Sequence, residues 1–162
     1  MKTLLIGTAM ALAVALAPSA SASTSHKGWP KFQTKPWINK TDQDTEHHGG
    51  AKNDEILGGH GDDVLFGEGG RDVLWGDYKP SGQGTAQHDT LDGGAGNDFI
   101  YASHGYNDIQ CGSGADIIHS HFGRGKIDCG AGRDILFISH RALKGYKVSH
   151  CEKISFKPAA KG

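Results

Sequence analysis

Isoleucine or leucine recurs along this chain every nine residues. Ile56, Leu65 and Leu74 set the register, and Leu91, Ile100, Ile109, Ile118, Ile127 and Leu136 resume it after an interruption at 76–83. Each aliphatic residue is the eighth of a nine-residue unit whose first six residues are rich in glycine and whose last three form a short strand. Side chains alternate along a strand, so the central Ile or Leu points one way and its two neighbours the other. One such unit cannot bury its apolar residue alone, and stability has to come from stacking. Two units make a coil of 18 residues. Stacked coils place the aliphatic side chains in one narrow core and the turns in two columns. The pattern predicts an all-β chain folded as a right-handed parallel β-roll, a β-solenoid, with terminal caps. The roll is expected over 49–137, with 76–83 looping out, residues 23–48 forming an N-terminal cap or a flexible segment, and 138–162 forming a basic C-terminal cap.

Composition agrees with a repeat fold. The chain has 162 residues, of which 25 are Gly and 36% are hydrophobic. That is too much glycine and too little apolar material for an ordinary α/β core, and glycine without a Gly-X-Y period excludes collagen. The glycines fall at fixed places. Gly58, Gly59 and Gly61 precede Asp63 and Leu65, and Gly93, Gly94 and Gly96 precede Asp98 and Ile100 in the same order. Gly67 and Gly70 precede Asp72 and Leu74. Glycine suits these turns because the backbone there visits positive φ and approaches its neighbour closely.

Charge adds a cation to the picture. Residues 49–137 hold 14 Asp and Glu against 6 Lys and Arg, whereas 138–162 hold 1 against 6. The position two before each aliphatic residue reads Asp54, Asp63, Asp72, Asp89, Asp98, Asn107, Asp116, Gly125 and Asp134. Stacking brings positions one coil apart to the strand spacing of about 4.7–4.9 Å. Carboxylates held so close repel unless a cation lies between them. Ca²⁺ takes carboxylate and carbonyl oxygens, and glycine turns expose carbonyls. One column is unbroken: Asp54, Asp72, Asp98, Asp116 and Asp134. The other carries Asp63 and Asp89, then loses its carboxylates. Up to four ions are expected in the first column and one in the second, between Asp63 and Asp89. Sites using Asp54 and Asp89 are expected to be weakest, because Lys52 and Gln87 replace a turn glycine.

The stretches GGHGDDVLFGEGGRDVLWGD and GGAGNDFIY resemble the RTX, or haemolysin-type calcium-binding, repeat family. The resemblance covers 49–137. It implies Ca²⁺ shared between turns one coil apart, with ligands from the seven aspartates and turn backbone from Gly58, Gly59, Gly61, Gly67, Gly70, Gly93, Gly94 and Gly96. The units starting at Cys111 and Cys129 resemble an exported, Cys-containing variant, which implies a Cys129–Cys151 disulfide. Cys111 and Cys129, one coil apart, could also pair by distance.

The first 22 residues read as a signal peptide. Lys2 precedes an uncharged, mostly apolar run from Leu4 to Ala17, and Ala20-Ser21-Ala22 is an A-x-A cleavage site. The mature chain is then expected outside the cytosol, where disulfides persist. His119-x-His121 and His47-His48 lack a third zinc ligand at fixed spacing and read as solvated histidines. Ser103, His104 and Asp108 make a triad only on paper, and no enzyme activity is expected. Val148, Ile154 and Phe156 suggest a last strand closing the roll. The leading function is a secreted calcium-stabilised structural or interaction module, with a cell-surface or matrix polymer as a partner. A small haemolysin-like toxin and a hydrolase-associated scaffold are the alternatives. No nucleic-acid partner and no membrane span in the mature chain are expected.

Overall fold

A computed structural model describes residues 28–77 and 86–156. The signal-peptide reading of 1–22, most of the expected loop at 76–83, and Gly84 lie outside the described residues. Within them the chain is a parallel β-solenoid of about six turns, with almost no helix.

One face stacks seven parallel strands: Trp37–Ile38, Glu55–Leu57, Val73–Trp75, Phe99–Tyr101, Ile117–Ser120, Ile135–Ile138 and Lys153–Ser155. The opposite face stacks Thr45–Gly50, Asp63–Gly70, His88–Asp92, Tyr106–Gln110, Arg124–Asp128 and Tyr146–Ser149. The aliphatic register is continuous on both. Ile56, Leu74, Ile100, Ile118, Leu136 and Ile154 pair in sequence on the first face. Leu65, Leu91, Ile109, Ile127 and Val148 do so on the second. All nine expected core residues are at most 1% exposed. Burying each such side chain is worth about 1.5–3 kcal/mol, which offsets the cost of ordering a strand only when neighbouring coils are present.

The roll extends beyond the predicted repeats at both ends. Trp37 pairs with Ile56 and His47 with Leu65, so residues 37–48 belong to a further coil. The Trp37 and His47 rings stack 4.1 Å apart and cover the apolar column at that end. At the other end two strands, not one, complete the final coil, with Val148 against Ile127 and Ile154 against Leu136. A one-turn helix, His140–Leu143, leads into it and is capped by Ser139, whose Oγ accepts from the Ala142 N–H.

The register places the interruption within a turn. Pairs across it are 26 residues apart (Leu65 with Leu91, Leu74 with Ile100), against 18 elsewhere in the repeats. Gly76 and Asp77 are buried within the roll. The Gly76 N–H donates to Tyr101 O as the Gly58 N–H donates to Trp75 O, so Gly76 occupies the unit's opening position.

Candidate metal centre

The first turn column carries a hydrogen-bonded ladder of aspartates. The backbone N–H of Asp54 donates to Asp72 Oδ1, that of Asp72 to Asp98, that of Asp98 to Asp116 and that of Asp116 to Asp134, each at 2.8 Å. The ladder continues past the predicted sites. The Asp134 N–H donates to a Glu152 carboxylate oxygen at 2.8 Å, and Thr34 Oγ1 donates to Asp54 at the opposite end.

Each aspartate spends only one oxygen in this way. The Oδ2 atoms of Asp54, Asp72, Asp98, Asp116 and Asp134 are buried without a hydrogen-bond partner. Those of Asp54, Asp72 and Asp98 converge with main-chain oxygens of the next coil. A Cβ built on Gly67 would lie 2.8 Å from Asp72 Oδ2 and 2.5 Å from Gly93 O. One on Gly93 would lie 2.8 Å from Asp98 Oδ2 and 2.6 Å from Cys111 O. In the units opening with Gly67 and Gly93 the first glycine therefore keeps open a cradle lined by a carboxylate and a carbonyl, whereas Cys111 and Cys129 place a side chain at that position in the two later units. The tight turn beyond depends on a second glycine. Gly96 has φ +146°, and a Cβ on it would sit 1.5 Å from Gly70 O.

The electrostatics of the column favour a cation. Burial pushes the carboxyls of Asp72 and Asp98 up to about 7 and that of Asp116 up to about 6. Burial likewise raises Asp134. Neighbouring carboxylates add to the rise, Asp54 acting on Asp72, and Asp72 and Asp116 on Asp98. Buried like charges with unfilled acceptor positions are stabilised by an ion that takes oxygen ligands. Among the described residues no three His, Cys, Asp or Glu side chains gather as a metal cluster. An ion here would draw on backbone carbonyls as much as on carboxylates, which suits calcium far better than zinc.

Residues 48–77 and 83–109 match the RTX calcium-binding nonapeptide repeat family in four copies. These two segments carry RTX calcium-binding repeats. Such repeats bind Ca²⁺, and the buried Oδ2 atoms and turn carbonyls fit that ion. No curated protein and no solved structure gives a significant match. The matched segments stop at 109, yet the same turn geometry runs on through the Cys-bearing units, where Ser113–Gly114 stacks on Ala95–Gly96 and Ala131–Gly132 on Ser113–Gly114.

The second turn column is different. Asp63 Oδ1 accepts from the Thr45 N–H and Asp89 Oδ1 from the Asp63 N–H, both at 3.1 Å. Burial pushes Asp89 up to about 7 and also raises Asp63. Past Asp89 a neutral network replaces the carboxylates. Ser103 Oγ donates to Asp89 and also lies 2.7 Å from Asn107 Oδ1. Asn107 Nδ2 donates to Tyr146 Oη at 3.0 Å, and Tyr146 Oη donates to Phe122 O at 3.2 Å. Gly125 stands at φ +133°, and a Cβ there would lie 2.0 Å from Asn107 O, so an aspartate cannot be accommodated.

Neither Lys52 nor Gln87 adopts the left-handed conformation that glycine takes at the matching turn positions. Gln87 Nε2 donates to Gly61 O at 3.4 Å and occupies a turn carbonyl.

Several participants were not singled out from the sequence. Glu152 stands 18 residues after Asp134, so its spacing was available as a signal. Asp77 is fully buried on the second column, and burial raises its carboxyl, with Asp63 adding to the rise. Asn53, Asp62 and Asn97, at a position free in the motif, accept the N–H of Arg71, His88 and Ala115 one coil on. Their signal is the recurrence of Asp or Asn immediately before the ligand position.

The histidine reading needs correction. His119 is not solvated. It stacks between Tyr101 at 4.8 Å and Phe137 at 5.1 Å, and burial, with His121 adding, lowers its ring to about 4. His47 is half-buried against Trp37, while His48 is exposed. Ser103 is engaged with Asp89 and Asn107, whereas His104 stacks on Phe122, so the paper triad is not assembled. Cys129 and Cys151 form a disulfide with Cα atoms 5.0 Å apart, and Cys111 is a buried free thiol.

Proposed function

We propose that this calcium-binding β-roll is exported and acts outside the cell as a calcium-stabilised structural or interaction module. The observation that carries the reading is the unbroken column of buried Oδ2 atoms without partners. Carboxylates in that state oppose folding when calcium is scarce and support it when calcium is plentiful. The ions are assigned to the first column between successive pairs of Asp54, Asp72, Asp98, Asp116 and Asp134, and to the second between Asp63 and Asp89. Folding would then be suppressed before export and driven by calcium afterwards. The apolar leader with its A-x-A site and the Cys129–Cys151 disulfide support an oxidising destination.

The β-roll is a structural calcium-binding fold, and its cell-surface or matrix polymer partner is proposed as an acidic one in view of the basic C-terminal coil. Among the described residues no helix is long and apolar enough to cross a membrane. The test is expression of the full chain with a C-terminal tag in a secreting host, followed by N-terminal sequencing of the tagged product. Recovery from the medium starting at Ser23 is expected. Retention inside the cell with Met1 and Lys2 intact would overturn the export reading.

A further inference from the structure

A cleft lies beside the eroded column, where Gly123 approaches Ser103 and Asn107. It encloses about 350 Å³ and is lined by His104, His121, Phe122, Gly123, Arg124, Arg141 and Ala142. The residues come from three successive levels of the roll: His104 from one turn, His121 to Arg124 from the turn one coil on, and Arg141 from the inserted helix His140–Leu143.

Three observations give the cleft a chemical character. No carboxylate lines it, and neither Arg124 nor Arg141 forms an ion pair among the described residues. Asn107 and Gly125 stand at the adjacent column positions that are Asp in the other units. Phe122 is 59% exposed, and its ring stacks on His104 at 4.5 Å with the planes 14° apart. Two unpaired guanidinium groups recognise planar or tetrahedral oxyanions in a forked, two-bond fashion. An exposed aromatic ring held flat by a second ring offers an apolar platform beside them.

We propose that this cleft binds an acidic sugar unit of a polysaccharide. Arg124 and Arg141 hold its carboxylate or sulfate, and Phe122 packs against the C–H face of the sugar ring. The imidazoles of His104 and His121 supply further polar contacts to hydroxyl groups. The site names the partner class and the surface for the extracellular interaction role proposed above, and rests on that role for its occupant. Its chemistry follows from the cleft alone.

The test is isothermal titration of the calcium-loaded full chain with a galacturonic acid trimer and, separately, a heparin tetrasaccharide. Maltotriose and inorganic phosphate serve as neutral and sugar-free probes. Circular dichroism of the same samples, with calcium and with chelator, reports the calcium-dependent fold independently of the sugar. Binding of at least one acidic oligosaccharide is expected, with none for maltotriose. Arg124→Ala with Arg141→Ala should weaken it by roughly tenfold or more, and the double Lys variant, which keeps charge but loses the fork, by several-fold. Phe122→Ala should weaken the oligosaccharide and leave phosphate unchanged. Lys147→Ala, exposed and outside the cleft, should have little effect. The proposal is overturned if neither acidic oligosaccharide binds to folded protein. It is overturned equally if the Arg variants, shown folded by circular dichroism, bind as the parent does, or if phosphate binds as tightly as the sugars and Phe122→Ala changes nothing.

Discussion

The backbone N–H of Asp134 donates to the carboxylate of Glu152 at 2.8 Å, the same bond that each earlier aspartate of the column makes with the next. Glu152 thus closes the ladder with a longer side chain, one coil beyond the last repeat. Replacing Glu152 with Gln keeps an oxygen for that N–H and removes only the charge. Calcium stoichiometry by calorimetry is expected to fall by about one ion, with the fold retained. An unchanged isotherm would show that Glu152 is a cap and not a ligand.

The two columns together make the calcium-free protein acid-loving. The carboxyls of Asp72, Asp89 and Asp98 stand at about 7 and that of Asp116 at about 6, all raised first by burial. In the unfolded chain such groups titrate near ~4. Between those limits the folded chain holds more protons than the unfolded one, so stability falls as pH rises from about 4 to about 7 and levels off above. Melting of calcium-free protein should therefore occur at higher temperature near pH ~5 than near pH ~8. Calcium-loaded protein should shift the other way, since protons compete with the ion.

Glu68 is one of two described non-glycine residues at positive φ, at 67°, in a turn position that is glycine in the units starting at Gly58 and Gly93. A left-handed conformation costs an L-residue about 1–2 kcal/mol. Its carboxylate pairs with His48 at 2.8 Å, but both are half exposed, and such a pair is worth only about 0–1 kcal/mol. Glu68→Gly is expected to raise unfolding free energy by about 1 kcal/mol in calcium, measured by denaturant titration. A loss of stability would contradict the strain.

Tyr146 tests the half of the second column that carries Asn107 and Gly125. Its hydroxyl joins Asn107 to the carbonyl of Phe122 and is itself shielded by burial. Tyr146→Phe leaves Asn107 short of one acceptor, and a cost of about 1–2 kcal/mol is expected. Calcium stoichiometry should not change, which separates this network from the ladder. A lost ion would mean that the column holds metal past Asp89.

The core was legible because Ile and Leu occur at a fixed spacing that insertions in turns cannot disguise. The columns were legible for the same reason, including the loss of carboxylates at Asn107 and Gly125. The position of the interruption was not. Gly76 and Gly84 both satisfy the motif, and the pairing distance of 26 residues is the same wherever in the turn the extra residues enter. Hydrogen bonding of Gly76 to Tyr101 decides it. The last coil escaped the nine-residue count because its two halves compensate. Ile127 pairs with Val148 at a spacing of 21, owing to the inserted helical turn, while Leu136 pairs with Ile154 at 18. His119 was misread because a strand-flanking position looks exposed in sequence. Stacking between Tyr101 and Phe137 one coil either side buries it.

The central claim is that calcium on the aspartate column drives folding of the roll. The direct measurement is titration of calcium into purified, calcium-free chain at neutral pH, with heat and far-ultraviolet circular dichroism followed on the same preparation. The account predicts several ions bound per chain and a rise in β-sheet signal in step with binding. Full β-sheet signal in chelator, with no heat up to millimolar calcium, would contradict it.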